Sequence, residues 1–198
     1  MRPLFSPKLA EADRRALLAL ARQAVVETVS CLRLADLPPT AGRLAKPGGA
    51  FVTLRCSGKL RGCIGRTDGA LTLAENVVQC AITAALHDSR FRPLRREEIA
   101  GLEIEISVVS EPQSVRIEEI ELGIHGVLVC RDASRGLLLP QVAHEHNWSA
   151  AEFLEAACRK AGLEAGAWRD PETKLFAFTA EVFSETDPGP SQEQPAGS

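Results

Sequence analysis

The chain has no tyrosine, one methionine and only two tryptophans in 198 residues. Aromatic platforms for stacking bases are scarce, and a net charge of −3 offers no excess of cations to displace phosphate counterions. A nucleic-acid-binding role is therefore disfavoured. No stretch approaches the ~20 uncharged apolar residues that a membrane span needs. The opening run MRPLFSPKLAEADRR breaks its apolar pieces with Pro3, Pro7 and charges, unlike an export signal, so a cytoplasmic location is expected. None of the six cysteines lies in a CxxC pair and no HxxxH occurs among the four histidines, so no metal site is expected, and the thiols are expected to be reduced. GxGxxG and Walker-type loops are also missing, which excludes the common dinucleotide and P-loop sites.

The patterning that remains is that of an α+β protein. Leu17, Leu18, Ala21, Ala24, Val25, Val29 and Leu32 recur at helical spacing, and a Pro/Gly-rich loop over 36–49 follows. Phe51–Arg55 and Leu60–Ile64 read as strands around a Ser57-Gly58 hairpin turn. Thr72-Leu73-Ala74-Glu75 and Ser149-Ala150-Ala151-Glu152 are capping boxes, the first opening a helix to about His87 and the second a helix closed by Gly162. Leu102, Ile104, Ile106 and Val108 alternate with polar residues as a half-buried strand. Val127–Cys130 and Leu137–Leu139 form a hairpin around a turn at Asp132–Gly136, and Leu175–Phe183 is a last strand. The spacing of His144 and His146 in HEHNW suits a strand edge. Strands in adjacent hairpin sets favour antiparallel pairing over a doubly wound parallel sheet.

Chemistry concentrates in Leu60-Arg61-Gly62-Cys63-Ile64-Gly65. Glycines at 62 and 65 let successive amides converge into a nest that lowers a thiol pKa or holds an oxyanion. Cys63 is then a nucleophile, and Arg61 and Arg66 add positive field. The structural alternative is a small buried Cys63 with glycines that shape a tight bend. His125, in GIHGV, or His144 would serve as base. Glu105, on the polar side of its strand, needs a partner such as Arg61 or Arg90. Asp88 and Arg90 either contact a ligand or brace the loop after the helix. Basic residues crowd residues 55–96, which suits a small anionic ligand or a solvated surface.

LRGCIG, HDSRFRPL, LEIEISVVSEP, GIHGVLV, GLLLPQVAHEHNW, FLEAACRKAGL and KLFAFTAEVFSE together, in this order, resemble the AMMECR family, also called AmmeMemoRadiSam system protein A. One departure is Arg66, where the family pattern has Thr directly after CIG; here the Thr is at 67. The resemblance implies two unequal lobes, each with an antiparallel sheet flanked by helices, and a cleft near Cys63. The similarity runs over about 8–185, which implies a single domain there with a smaller inserted lobe after an extension over 1–7; the tail over 186–198, with Pro188, Pro190, Pro195 and two glycines, is expected from its composition to be disordered. The resemblance further implies association with a Memo-like protein and a radical-SAM protein, which would hold any iron–sulfur or iron cofactor, and none is expected in this chain. Arg61, Gly62 and Cys63 carry over as signature positions without a reaction. The site expected from all of this comprises Cys63, His125, Glu105 and His144 as catalytic groups. Arg61, Gly62, Ile64, Gly65, Asp88 and Arg90 are its ligand contacts. Two functions follow: a cysteine-dependent enzyme or enzyme accessory acting on a small anion, or a binding module for a small ligand or one of the two partners.

Overall fold

A computed structural model describes residues 8–31 and 40–187. The expected extension over 1–7, residues 36–39 of the expected 36–49 loop and the tail from 188 onward lie outside the described residues. The elements are α1 (Glu11–Cys31), β1 (Gly49–Cys56), β2 (Lys59–Arg66), α2 (Leu73–Leu86), β3 (Leu102–Val109) and β4 (Gln113–Ser114). They continue with β5 (His125–Arg131), β6 (Ser134–Leu138), α3 (Pro140–Glu145), α4 (Ala150–Lys160) and β7 (Lys174–Ser184). The protein is α+β, with every strand pairing antiparallel.

The strand order is β2-β1-β3-β7-β5-β6, with β4 beside β7. Two hydrophobic cores form along this sheet. The first packs α1 and α2 on β1, β2 and β3 through residues such as Leu17, Val25, Val52, Leu54, Val77, Ile104 and Ile106. The second packs α4 on β5 and β6 through Val127, Val129, Phe153, Leu154 and Ala157. The two expected sheets are halves of one, because β7 belongs to both. It pairs with β3 through Ala180–Ser184 and with β5 through Lys174–Thr179. Its Phe183 lies in the first core, and its Leu175 packs on the second.

Local sequence explains the boundaries. Thr72 and Ser149 accept from the backbone of Glu75 and Glu152, whose carboxylates return to the cap amides, so both capping boxes close. Ser57 and Gly58 both take positive φ, 50° and 74°, as a two-residue hairpin turn requires. Two expectations change. The second hairpin turn is shorter than Asp132–Gly136: Asp132 at φ 51° lets Arg131 pair directly with Ser134. HEHNW is no strand edge, because Pro140 presets the first turn of α3, which carries His144 in its last turn.

The glycines of the signature segment have a packing role. Gly62 is not among the positive-φ residues; a Cβ there would lie 2.2 Å from the carbonyl oxygen of Ala84 in α2. Helix and strand approach so closely only because position 62 lacks a side chain. A Cβ at Gly65 would strike the ring of Phe51 at 2.0 Å. The expected amide nest is thus replaced by two close-packing positions on an ordinary strand. Gly62→Ala is expected to cost about 3 kcal/mol by overpacking against helix backbone. Gly58→Ala, facing open space at φ 74°, should cost about 1 kcal/mol from the left-handed conformation alone. Urea unfolding of the two variants measures both, and equal losses would contradict the distinction.

Candidate functional site around Cys63

β2 ends the strand order, so one side of it carries backbone groups that no strand pairs. At Cys63 a side-chain clamp fills them. The Cys63 amide donates to Asp88 Oδ2 at 2.9 Å, and the Cys63 carbonyl accepts from the Arg90 guanidinium at 3.0 Å. Arg90 also grips the Asp88 carboxylate through both oxygens, at 2.9 and 2.7 Å. The Asp88 side chain is only 4% exposed. The guanidinium, followed by the two backbone amides, holds its carboxyl well below the usual aspartate range against the opposing cost of burial. Asp88 and Arg90 therefore brace the motif, and the Cys63 amide is already occupied.

Arg61 is likewise a structural clamp. Leu54 pairs with Gly62 and Arg55 with Leu60, which leaves Arg61 as the extra residue of a β-bulge. The bulge aims its guanidinium at Glu98, which it meets at 2.7 and 3.0 Å, and at the carbonyls of Arg92 and Pro93. It ties the edge strand to the segment after α2 and does not partner Glu105. Ile64 turns away from Cys63 and packs on the first core.

The half-buried thiol looks onto the opposite face of the sheet. Cys63, Thr53, Glu105 and Ser184 form one row across β2, β1, β3 and β7. The Thr53 hydroxyl lies 3.4 Å from Cys63 Sγ, positioned to donate to it. Thr53 and the next residue along β3 on that face, Ser107, are 7% and 1% exposed, so this polar row is covered rather than solvated. The Glu105 carboxylate has no ion-pair partner among the described residues; Arg61 and Arg90 are committed to Glu98 and Asp88.

Neither expected histidine completes a dyad with Cys63. His125 is 6% exposed at the start of β5, and its Nδ1 accepts from the Glu121 amide at 3.1 Å, closing the turn that leads into the strand. His144 is exposed on α3 and lies against Gly123, where a Cβ would come within 2.1 Å of its Nε2. A residue that the patterning did not single out acts on Cys63 electrostatically. Lys160 ends α4, in the second core's helix, and Cys63 and Arg90 both act on its charge, in opposite directions. Burial is the larger effect and pushes the ammonium below the ordinary lysine range, although the side chain stays accessible to solvent. The signal in FLEAACRKAGL was the basic last turn of a capped helix, which is also the usual complement to a helix dipole.

The remaining thiols differ in setting. Cys80 is 1% exposed, and desolvation pushes it up to about 12. Among the described residues no group of three or more His, Cys, Asp and Glu gathers as a metal site, and no helix is long and apolar enough to cross a membrane.

Fold and site define an α+β protein with a half-buried cysteine on a clamped edge strand. The AMMECR1 family model matches residues 18–183, and the chain belongs to that family. It is 41% identical to the Methanopyrus kandleri protein MK0488, over 94% of this chain and 96% of that one. It is also 41% identical to the Thermococcus kodakarensis protein TK0174, over 90% and 94%. The crystal structure of the uncharacterized protein PH0010 from Pyrococcus horikoshii superposes with a TM-score of 0.82 at 36% identity, over 87% of this chain and 91% of that one.

The clamp predicts an acid response. Because the folded-state pKa of Asp88 is depressed, its contribution is present above the unfolded aspartate value of about 4 and is lost as pH falls below it. Asp88→Asn should cost about 2 kcal/mol at neutral pH, and its stability should fall less steeply than wild type below about pH 4. Chemical denaturation across that pH range measures both; parallel curves would show the clamp to be energetically idle.

Proposed function

We propose that the chain acts through Cys63 on a small anionic substrate, as an enzyme or enzyme-accessory component of an AmmeMemoRadiSam system. The observation that carries this reading is a half-buried Cys63 thiol held on a clamped edge strand beside the Thr53 hydroxyl, with Lys160 near enough for their charges to interact. A cation near this site attracts a small anion and favours any oxyanion that forms there. In this reading Lys160 takes up the Cys63 proton, the task assigned from sequence to His125 or His144. The thiolate, steadied by the Thr53 hydroxyl, then displaces a leaving group from an electrophilic centre. Water or an acceptor releases the product and restores the thiol. The Memo-like and radical-SAM proteins implied by the family resemblance are the proposed recipients or suppliers of that substrate.

One observation favours a second reading. The Cys63 amide is spent on Asp88, so the motif offers no free donor at that position for an oxyanion. On this reading the LRGCIG strand is a non-catalytic recognition element for a small ligand or one of the two partners.

Iodoacetamide labelling resolved by peptide separates the two. The catalytic reading expects Cys63 to react much faster than Cys80 at pH 7, and Lys160→Met to slow Cys63 several-fold without altering stability. A small covalent adduct on Cys63 in protein co-purified with its genomic neighbours would support it further. A Cys63→Ser variant that retains full activity in cells, with Lys160→Met indifferent in labelling, would establish the binding module instead.

A further inference from the structure

The second half of the sheet presents a face that no described helix covers. Val127, Val129 and Leu138 point to α4, so their neighbours Leu128 and Cys130 on β5 point the other way. Register places Arg135, Cys130 and Lys174 in one row across β6, β5 and β7. The next row is Leu137, Leu128 and Phe176. The outward face of a half-solvated antiparallel sheet is ordinarily polar. Here one row is apolar, and it continues under a cavity of about 470 Å³ lined by Pro112, Leu128, Cys130, Arg135, Lys174 and Phe176. That volume lies within the range of small-ligand sites.

The charges at this cavity are unequally committed. Of the two acids on its rim, Glu172 pairs with Arg131 at 3.0 Å, and Asp132 stands on the exposed hairpin turn. Arg135 and Lys174 are exposed and have no ion-pair partner among the described residues. Both bear on the half-buried Cys130 thiol, which lies between them. Two free cations thus flank one end of an apolar floor.

We propose that this face is a binding site for a small amphipathic carboxylate, with its head group between Arg135 and Lys174 over Cys130 and its apolar body along Leu128 and Phe176. The rim acids disfavour a doubly charged head group such as phosphate, and the concavity suits a compact ligand rather than a protein surface. Cys130 takes no chemical part; its thiol is the floor beneath the head group and a built-in reporter. The site lies on β5, β6 and β7 and uses no residue of the Cys63 site, so it holds or fails independently of the role of Cys63.

The test is protection of Cys130 from N-ethylmaleimide, read by peptide mass spectrometry on the full chain, with octanoate, octanol and inorganic phosphate as probes. Octanoate is expected to slow Cys130 labelling to a plateau while leaving Cys63 unchanged, with octanol and phosphate much weaker. Arg135→Gln and Lys174→Gln, each compared with its own unliganded rate, should raise the half-protecting concentration about tenfold through loss of one charge-assisted contact. Equal protection by octanol would reduce the face to an apolar patch and overturn the proposal. So would an absence of saturable protection, or equal slowing of Cys63. Should either variant unfold, the wild-type comparison of octanoate with octanol still decides.

Discussion

The clamp of Asp88 and Arg90 on the backbone of Cys63 is the constraint on which the rest of the site depends. An edge strand leaves amides and carbonyls open to water or to another strand. Here the residues that follow α2 return to the same edge and fill them. The close approach of α2 to β2 at Gly62 brings that return within reach, and Arg61 ties down the following segment from its bulge. The thiol is consequently held by three elements at once, with its backbone fixed on one side and its sulfur presented on the other. An edge strand of eight residues would otherwise be among the more mobile parts of a sheet.

The second consequence comes from β7. Because this strand serves both halves of the sheet, the strand that carries Cys63 and the helix that carries Lys160 pack in different cores joined by a continuous hydrogen-bonded element. Neither core contains the whole arrangement. How Cys63 and Lys160 lie relative to each other therefore depends on the way β7 joins the two halves of the sheet.

Much of the scaffold was legible in the sequence because its signals are local. The two capping boxes, the Ser57-Gly58 turn, the alternation from Leu102 to Val108 and the closing Gly162 each depend on residues a few positions apart. The site was legible only as a location. Glycines at 62 and 65 read as a nest because glycine permits positive φ, yet both are needed for a different property, the absence of a Cβ where Ala84 and Phe51 approach. That property depends on a helix and a strand brought together by tertiary packing. His125 read as a base on an open loop, whereas the turn at Glu121 uses its ring nitrogen. Lys160 lies 97 positions from Cys63, and nothing in either local pattern joins them.

The cations show the same limit most sharply. In the sequence the basic residues crowd between 55 and 96, and that segment invites the reading of an anion site. In the fold Arg61, Arg66 and Arg90 are each joined to an acid, namely Glu98, Asp68 and Asp88. Paired in this way they position backbone, and their fields at a distance largely cancel. Lys160, Arg135 and Lys174 lie outside the segment and have no such ion pair among the described residues. What attracts an anion is the charge left after internal pairing, and that remainder depends on which acid the fold brings beside each base. A count along the chain measures the charge before pairing. It does not separate Arg61, Arg66 and Arg90, which are spent on acids, from Arg55, Lys59, Arg92, Arg95 and Arg96 of the same segment, which have no ion pair among the described residues.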